Sequence, residues 1–368
     1  MIYKIFVILV SVFFVASTML VNIPATAASQ YNSNSSLSEI VNSDWMLWSK
    51  GNKLSYKELS EVMTNPKYQD YEAAGLAAMC YYLRVNKDKQ LDYAGAVDVA
   101  QSNKVAKEHF AKFLKEVPNI KRSLYANSLS PNFALLQQGP VGDCFIFSGL
   151  GWLAKYRPQV IKNAIQEVSS NNGKTKKYLV SFPNGYRVKI AEPTDSEILF
   201  NTSAESITDG LWVTVTLKAI GEVWPKLTKE KSYAEDPTVY LDSGGHPAPF
   251  EKLWTGKTPT VYKFNKTGST SLATIQKALI SINSENLLAQ AGGVAPSKDD
   301  LPVPGHHVYA ILAYDDSTQT LTIWNPWGSD FTPKASPDGP KNGYTRKHGV
   351  FQMSLTDFYS IYAYLCVE

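Results

Sequence analysis

The hydrophobic pattern of this chain changes near residue 119, and that change constrains the fold more than any other feature. Before it, apolar residues recur at helical spacing, as in 103–116 (NKVAKEHFAKFLKE), where lysines occupy the other face. After it, short alternating segments and turns dominate, and 178–191 (YLVSFPNGYRVKIA) is typical of a β-hairpin. We therefore predict an all-helical N-terminal region, residues 28–118, followed by a mixed α+β body.

Capping and turn residues predict several individual elements. Residues 55–63 begin with a capping-box pattern that opens a short helix, and 71–83 (YEAAGLAAMCYYL) is apolar on all sides, which predicts a buried helix. Ser271 is a plausible N-cap for a helix that runs to Ile282. We expect Gly292-Gly293 to form a loop.

The N-terminus is typical of an exported protein. Lys4 precedes the uncharged, mostly apolar segment 5–21, and Pro24 and an Ala-Thr-Ala sequence follow it. This order predicts a secretory signal peptide, residues 1–27, cleaved before Ala28. An uncleaved membrane anchor is the alternative, because the apolar segment approaches the length of a spanning helix. With cleavage, we expect a secreted, periplasmic or extracellular protein that has no membrane contact.

Composition and charge exclude several classes of protein. Hydrophobic residues make up 44% and charged residues 19%, which is a globular rather than a disordered composition. Lys and Arg number 36 against 33 Asp and Glu, a net charge of +3, so nothing favours nucleic acid as a partner. The three cysteines are too few for a disulfide scaffold and odd in number, so at least one thiol should be unpaired. We expect a monomer.

Residues 138–144 (QGPVGDC) contain a candidate nucleophile. Their glycines and proline predict an irregular turn, and the apolar run 145–156 predicts a buried helix that begins near Cys144. Backbone N–H groups and the dipole at a helix N-terminus favour thiolate over thiol, and they can also stabilise an oxyanion. The side chain of Gln138 is a second candidate oxyanion donor.

Residues 305–325 contain a candidate base and its orienting partner. Two alternating runs, 305–314 and 321–325, surround a turn-like segment, and a turn centred on Asp316 would place His307 opposite Asn325. The amide oxygen can then fix the imidazole tautomer while the other ring nitrogen faces a nucleophile. A His-Asn pair can also be purely structural, but the upstream cysteine favours the catalytic interpretation.

These motifs together resemble a known family. Gln-Gly-x-x-Gly-Asp-Cys at 138–144, His-x-Tyr at 307–309 and Asn-Pro-Trp-Gly at 325–328 resemble the protease core of the calpain family of cysteine endopeptidases, distant relatives of papain. The resemblance extends over 119–368. It implies a papain-like two-lobed body, with a first subdomain at 119–240 and a second at 241–368.

The resemblance also implies roles for individual residues. Cys144 corresponds to the nucleophile, His307 to the general base, Asn325 to the orienting residue and Gln138 to the oxyanion donor, and we expect Trp327 and Gly142 to contact the substrate. His306 is the rival base, but His307 keeps the His-x-Tyr spacing to Tyr309. We expect an exported cysteine endopeptidase that acts on proteins or peptides. A transglutaminase-like acyl transferase and a catalytically silent protein-binding module are the alternatives.

The sequence departs from the family at one of its calcium sites. Leu135 stands nine positions before the nucleophile, where the family has an acidic residue, and Leu217 replaces another acid before Lys218. Calcium requires several oxygen ligands, and leucine supplies none. We predict that this first-subdomain calcium site is absent, and we expect no metal or cofactor.

The sequence is compatible with two roles for the helical region. Residues 28–118 fit an inhibitory propeptide or a permanent helical subdomain. Cys80 and Cys366 fit either a disulfide between this region and the body or two buried thiols. His109 lies among lysines, and we expect it at the surface.

Overall fold

In a computed structural model, the chain is described over residues 30–169, 176–229, 237–264, 267–293, 306–328 and 346–368. The predicted signal peptide and its cleavage site lie outside these residues, as does Gly305. Among the described helices, none combines the length and the apolar composition needed to cross a membrane.

The N-terminal region is helical, as predicted. Its five helices are α1 (Leu37–Ser49), α2 (Tyr56–Met63), α3 (Asp70–Val85), α4 (Tyr93–Ser102) and α5 (Lys104–Glu116). The predicted capping box at Ser55 is confirmed, since its side chain accepts from the N–H of Glu58 and the Glu58 carboxylate accepts from the N–H of Ser55. Helix α3 is buried along most of its length, also as predicted.

The body opens with helices and a small sheet. Its elements to residue 229 are α6 (Cys144–Tyr156), α7 (Pro158–Ala164), β1 (Ile165–Ser169), β2 (Lys176–Ser181), β3 (Arg187–Ala191), α8 (Asp195–Asn201) and α9 (Trp212–Thr228). Strands β1, β2 and β3 form an antiparallel sheet in that order. The predicted hairpin is confirmed, with Tyr178 opposite Ile190.

The rest of the body is built on a seven-stranded sheet. Its elements are α10 (Pro247–Thr255), β4 (Thr260–Lys263), α11 (Leu272–Glu285), β5 (Ala289–Gly293), β6 (Val308–Asp315), β7 (Thr320–Trp324), β8 (Arg346–Lys347), β9 (Val350–Ser354), α12 (Leu355–Ile361) and β10 (Tyr362–Val367). The order β4-β10-β5-β6-β7-β9-β8 is antiparallel throughout. The body is therefore α+β, as predicted, and the helix capped by Ser271 is confirmed. The prediction of a loop at Gly292-Gly293 is wrong, because both residues belong to β5.

The predicted register of the hairpin that carries His307 is also wrong. A turn centred on Asp316 would place Ile311 opposite Leu321, but Ile311 lies opposite Ile323, two positions further along. The register shifts again between Ile311 and Ala313. The turn spans four residues and ends at Gln319, which has a left-handed φ of 51°. The longer turn and the bulge move every pair along the ladder.

Two buried clusters lie on this framework. One joins the helical region to α6, α9 and the sheet, so that Trp45, Ala77, Phe147 and Trp324 belong to the same core. The other packs α11 and α12 on the sheet. His109, which was expected at the surface, is half-buried, and its ring stacks on Tyr81 with 3.5 Å between the centroids.

Helix α6 lies against the strands that carry the predicted base. The amide of Gln290 in β5 donates to the backbone oxygen of Phe145 at 2.7 Å, and the Tyr156 hydroxyl donates to the Leu312 oxygen in β6 at 2.8 Å. This packing directs the N-terminus of α6 toward the start of β6.

Candidate active site

Cys144 is the first residue of α6, as the sequence predicted. Asp143 occupies the N-cap, and the thiol is buried. The backbone N–H of Val308 hydrogen-bonds to the thiol, so the sulfur lies beside the residue that follows His307. The predicted nucleophile and the predicted base therefore lie near each other, where α6 and β6 begin.

The turn before Cys144 is tied to the loop that contains Asn325. The backbone N–H of Gln138 donates to the oxygen of Pro326 at 2.8 Å, and the side chain of Gln137 donates to the oxygen of Trp327 at 2.9 Å. These two bonds join segments nearly 190 residues apart, and they hold both halves of the site together.

His307 and Asn325 form the predicted pair even though the ladder register differs. Nε2 of His307 lies 2.8 Å from Oδ1 of Asn325, and the backbone N–H of Trp327 donates to the same oxygen at 3.0 Å. Because a backbone N–H can only donate, the shared atom must be the amide oxygen. Nε2 therefore carries the hydrogen, and the lone pair of Nδ1 is left to accept a proton.

The pair is buried beneath aromatic rings. The Trp327 ring lies 4.1 Å from the His307 ring, centroid to centroid, and the edge-on ring of Tyr309 lies 4.8 Å away. Burial lowers the pKa of His307 to about 4, although its bond to Asn325 opposes the shift. His306, the rival base, is exposed at the rim of the cleft, and the contact with Asn325 is made by His307.

The backbone N–H groups at the helix N-terminus favour the thiolate of Cys144, as expected, but they do not determine the net pKa of this thiol. Burial raises the pKa of Cys144 to about 12 and outweighs the backbone N–H groups of Val308, Phe145 and Cys144, which act in the opposite direction. A thiol pKa above neutrality and an imidazole pKa below it mean that both groups rest uncharged at neutral pH.

Gln138 lies in the turn before Cys144, and its side-chain amide is hydrogen-bonded within that turn. Its Nε2 donates to the oxygen of Val141 at 2.6 Å, and it also hydrogen-bonds to the buried carboxyl of Asp143. Burial raises the pKa of Asp143 well above its usual range, and the nearby charge of Asp242 raises it further.

A cleft of about 600 Å³ unites the predicted residues. Cys144, His307, Gln138, Gly142 and Trp327 all line it, and Asn325 lies directly behind His307. Arg84 and Lys112 of the helical region line it as well. Sequence reasoning missed these two residues, since no local pattern connects them to a motif that begins 26 or more positions away.

The positions of the missing calcium acids are apolar in the fold. Leu135 is half-buried and Leu217 is fully buried in α9. Over the described part of the chain, no group of three or more His, Cys, Asp or Glu side chains is placed to hold a metal ion. The absence of the first calcium site stays a prediction.

All three cysteines lie within the described residues, and none is in a disulfide. Cys80 and Cys366 are both buried, which fits the second of the two alternatives for this pair. No protein-family model matches the chain, and no curated protein matches it either.

Proposed function

We propose that this protein is a cysteine endopeptidase that hydrolyses peptide bonds through an acyl-enzyme. One observation carries the proposal: Cys144 and the His307–Asn325 pair line or adjoin one cleft, and the Asn325 bond leaves Nδ1 of His307 as the proton acceptor. A nucleophile, a base and a residue that orients the base are the minimum set for this chemistry.

The proposed fold of residues 119–368 is a papain-like two-lobed protease. A buried helix that begins at the nucleophile, and an antiparallel sheet that carries the base, support this assignment. The cleft between them is the proposed substrate site, with Trp327 and Gly142 in its walls.

The first half-reaction starts from the uncharged pair. The sulfur of Cys144 bonds to the peptide carbonyl carbon while the thiol proton moves to Nδ1 of His307, and the carbonyl electron pair moves to oxygen. The backbone N–H of Cys144 and the amide of Gln138, turned away from Val141, stabilise this oxyanion. When the oxyanion collapses, the C–N bond breaks and His307 gives its proton to the leaving amine.

The second half-reaction returns the thiol. Water gives a proton to Nδ1 of His307 as its oxygen bonds to the acyl carbon. The C–S bond then breaks, the sulfur recovers the proton from His307, and a carboxylic acid leaves. Asn325 keeps the imidazole in one tautomer through both steps.

The proposed enzyme is exported. The charged, apolar and small-residue segments of 1–27 support this part of the proposal. N-terminal sequencing of protein recovered outside the cell should find Ala28 at its start, and an intact Met1 would contradict it.

Active-site labelling tests the enzymatic proposal. A vinyl sulfone or an epoxysuccinyl peptide should modify Cys144 in the folded protein and abolish cleavage of a fluorogenic peptide. Cys80 and Cys366 provide internal controls, because both are buried in the core and should react only after unfolding. Cys144→Ala should retain the fold and lose all cleavage.

The products distinguish the remaining possibilities. Two peptide fragments are expected from hydrolysis, whereas a single adduct with an added amine would identify an acyl transferase. A Cys144 that resists both reagents in the folded protein would refute the proposal and favour a binding module.

A further inference from the structure

The helical region forms part of the wall of the cleft. Arg84, near the end of α3, and Lys112, in α5, line the same cavity as Cys144 and His307. The region is also continuous with the body, since residues of α1 and α3 share one buried cluster with α6 and α9. Removal of the region would expose this apolar core to water.

Arg84 makes the most direct connection between this region and the nucleophile. Its Nε lies 2.8 and 2.9 Å from the two carboxylate oxygens of Asp242, and its Nη2 lies 2.5 Å from one of them. The Asp242 side chain is only 2% exposed and that of Arg84 is 17% exposed. A fork-like contact of this kind fixes both charge and orientation.

Asp242, held by Arg84, also binds the turn before Cys144. The same Oδ1 that pairs with Arg84 accepts the backbone N–H of Gly142 at 2.9 Å. The turn approaches so closely that a Cβ on Gly142 would lie 2.6 Å from the Asp242 backbone oxygen. The Tyr56 hydroxyl of α2 donates to the other carboxylate oxygen at 3.2 Å, so two side chains of the helical region hold one acceptor.

Charge makes this arrangement dependent on Arg84. Asp242 is buried, and its charge helps to raise the pKa of the nearby Asp143 carboxyl, although burial of Asp143 is the larger cause. A buried carboxylate without a cation is strongly destabilised, so the loss of Arg84 would drive the Asp242 side chain toward solvent. That movement would release Gly142, two residues before the nucleophile.

We propose that Arg84 is a positioning residue that holds the Gly142–Cys144 turn through Asp242, which makes the helical region a permanent part of the catalytic unit rather than a removable propeptide. This inference rests on the proposed peptidase function. Arg84 acts through Asp242 and takes no part in the bond changes.

Substitution at the ion pair tests the positioning role. Arg84→Met should lower kcat about 100-fold, as expected for a nucleophile displaced by about 1 Å, with KM changed much less. Arg84→Lys keeps the charge without the fork and should recover part of kcat. The second-order rate of Cys144 alkylation by iodoacetamide should fall in parallel in Arg84→Met.

A matched control separates positioning from general stability. Arg122 makes a similar ion pair to the buried Asp195 at 2.6 Å, and it also bonds to Asp70 of α3, but it does not line the cleft. Arg122→Met should lose stability and retain kcat. If Arg84→Met does not fold, Asp242→Asn replaces it, because this variant keeps the oxygen that accepts Gly142 and removes the charge that attracts Arg84.

The outcomes are distinct. A kcat for Arg84→Met within about twofold of wild type, or a loss no larger than that of Arg122→Met at equal stability, overturns the positioning role. A probe-labelled species whose mass lacks residues 28–118 overturns the permanent role of the helical region. A wild-type protein that neither cleaves peptides nor reacts at Cys144 overturns the proposed function and this inference with it.

Discussion

The resting charge state of the Cys144–His307 pair is the most informative property to measure. The two pKa values, about 12 for the thiol and about 4 for the imidazole, are separated by about eight units. Moving the proton from sulfur to Nδ1 at these values costs about 11 kcal/mol, at about 1.4 kcal/mol per unit. For comparison, two opposite unit charges about 4 Å apart attract each other by about 4 kcal/mol at an effective dielectric constant of about 20.

The difference between these energies decides the outcome. About 7 kcal/mol still favours the uncharged pair, which corresponds to about one thiolate-imidazolium pair in 10⁵ molecules. We therefore expect no thiolate absorbance from Cys144 between about pH 5 and about pH 9. The measurement is an ultraviolet difference titration of wild type against Cys144→Ala, in which any contribution from Cys80 and Cys366 cancels.

A second variant makes the test specific. His307→Ala should leave the difference spectrum unchanged at neutral pH, because no ion pair exists to be lost. One equivalent of thiolate at neutral pH that disappears in His307→Ala would refute the reasoning, since it would show that pair attraction exceeds the burial cost. Activity has its own signature: hydrolysis requires the neutral base, so kcat/KM should fall as the pH drops through about 4 and hold through neutrality.

Three further predictions concern the orienting residue Asn325, the buried carboxyl of Glu116 in α5, and calcium. Asn325→Ala removes the oxygen that fixes the tautomer of His307, and kcat should fall about 100-fold in steady-state assays with little change in KM; an unchanged kcat would exclude the orienting role. Glu116 is 4% exposed, and burial raises the pKa of its carboxyl to about 7. Between the unfolded pKa of about 4.5 and this value only the native state keeps the proton, so stability falls as pH rises; Glu116→Gln should gain up to about 3 kcal/mol at pH 8 and nothing at pH 4 in denaturant titrations. Equal stabilisation at both pH values would contradict this. Because Leu135 and Leu217 supply no calcium ligand, a chelator should leave peptidase activity unchanged, and its full loss would show that calcium is required.

Local signals in the sequence predicted local structure well. The Ser55 capping box, the Ser271 cap and the 178–191 hairpin depend on contacts within a few residues, and all three are present. The loop predicted at Gly292-Gly293 is wrong because the role of these glycines depends on a neighbouring strand that is distant in sequence. A Cβ on Gly292 would lie 2.2 Å from the Tyr364 ring of the neighbouring strand, so the glycine serves a close approach that sequence spacing does not reveal.

The same contrast between local and long-range contacts holds for the candidate active site. The type and order of Cys144, His307 and Asn325 predicted a functional contact, and that contact formed at 2.8 Å between His307 and Asn325 even though the ladder pairing was two residues off. Side chains can also contact each other diagonally across a β-ladder. The contact between His307 and Asn325 therefore forms even though the predicted strand register is wrong by two residues.

The electrostatic environment of the site could not be predicted from those residues, because burial is a property of the whole fold. The thiol pKa was expected to fall at a helix N-terminus, and it rises because burial outweighs the helix N-terminus: α6 packs against the sheet and against α10. Likewise Arg84 reaches Asp242 across 158 positions of sequence, and nothing in the motif around Cys144 requires a cation from α3. The motif therefore specifies which atoms react, whereas the helical region and the sheet determine how readily the thiol gives up its proton. A short peptide containing the 138–144 motif should have an ordinary cysteine pKa, near 8.5, and no selective reactivity.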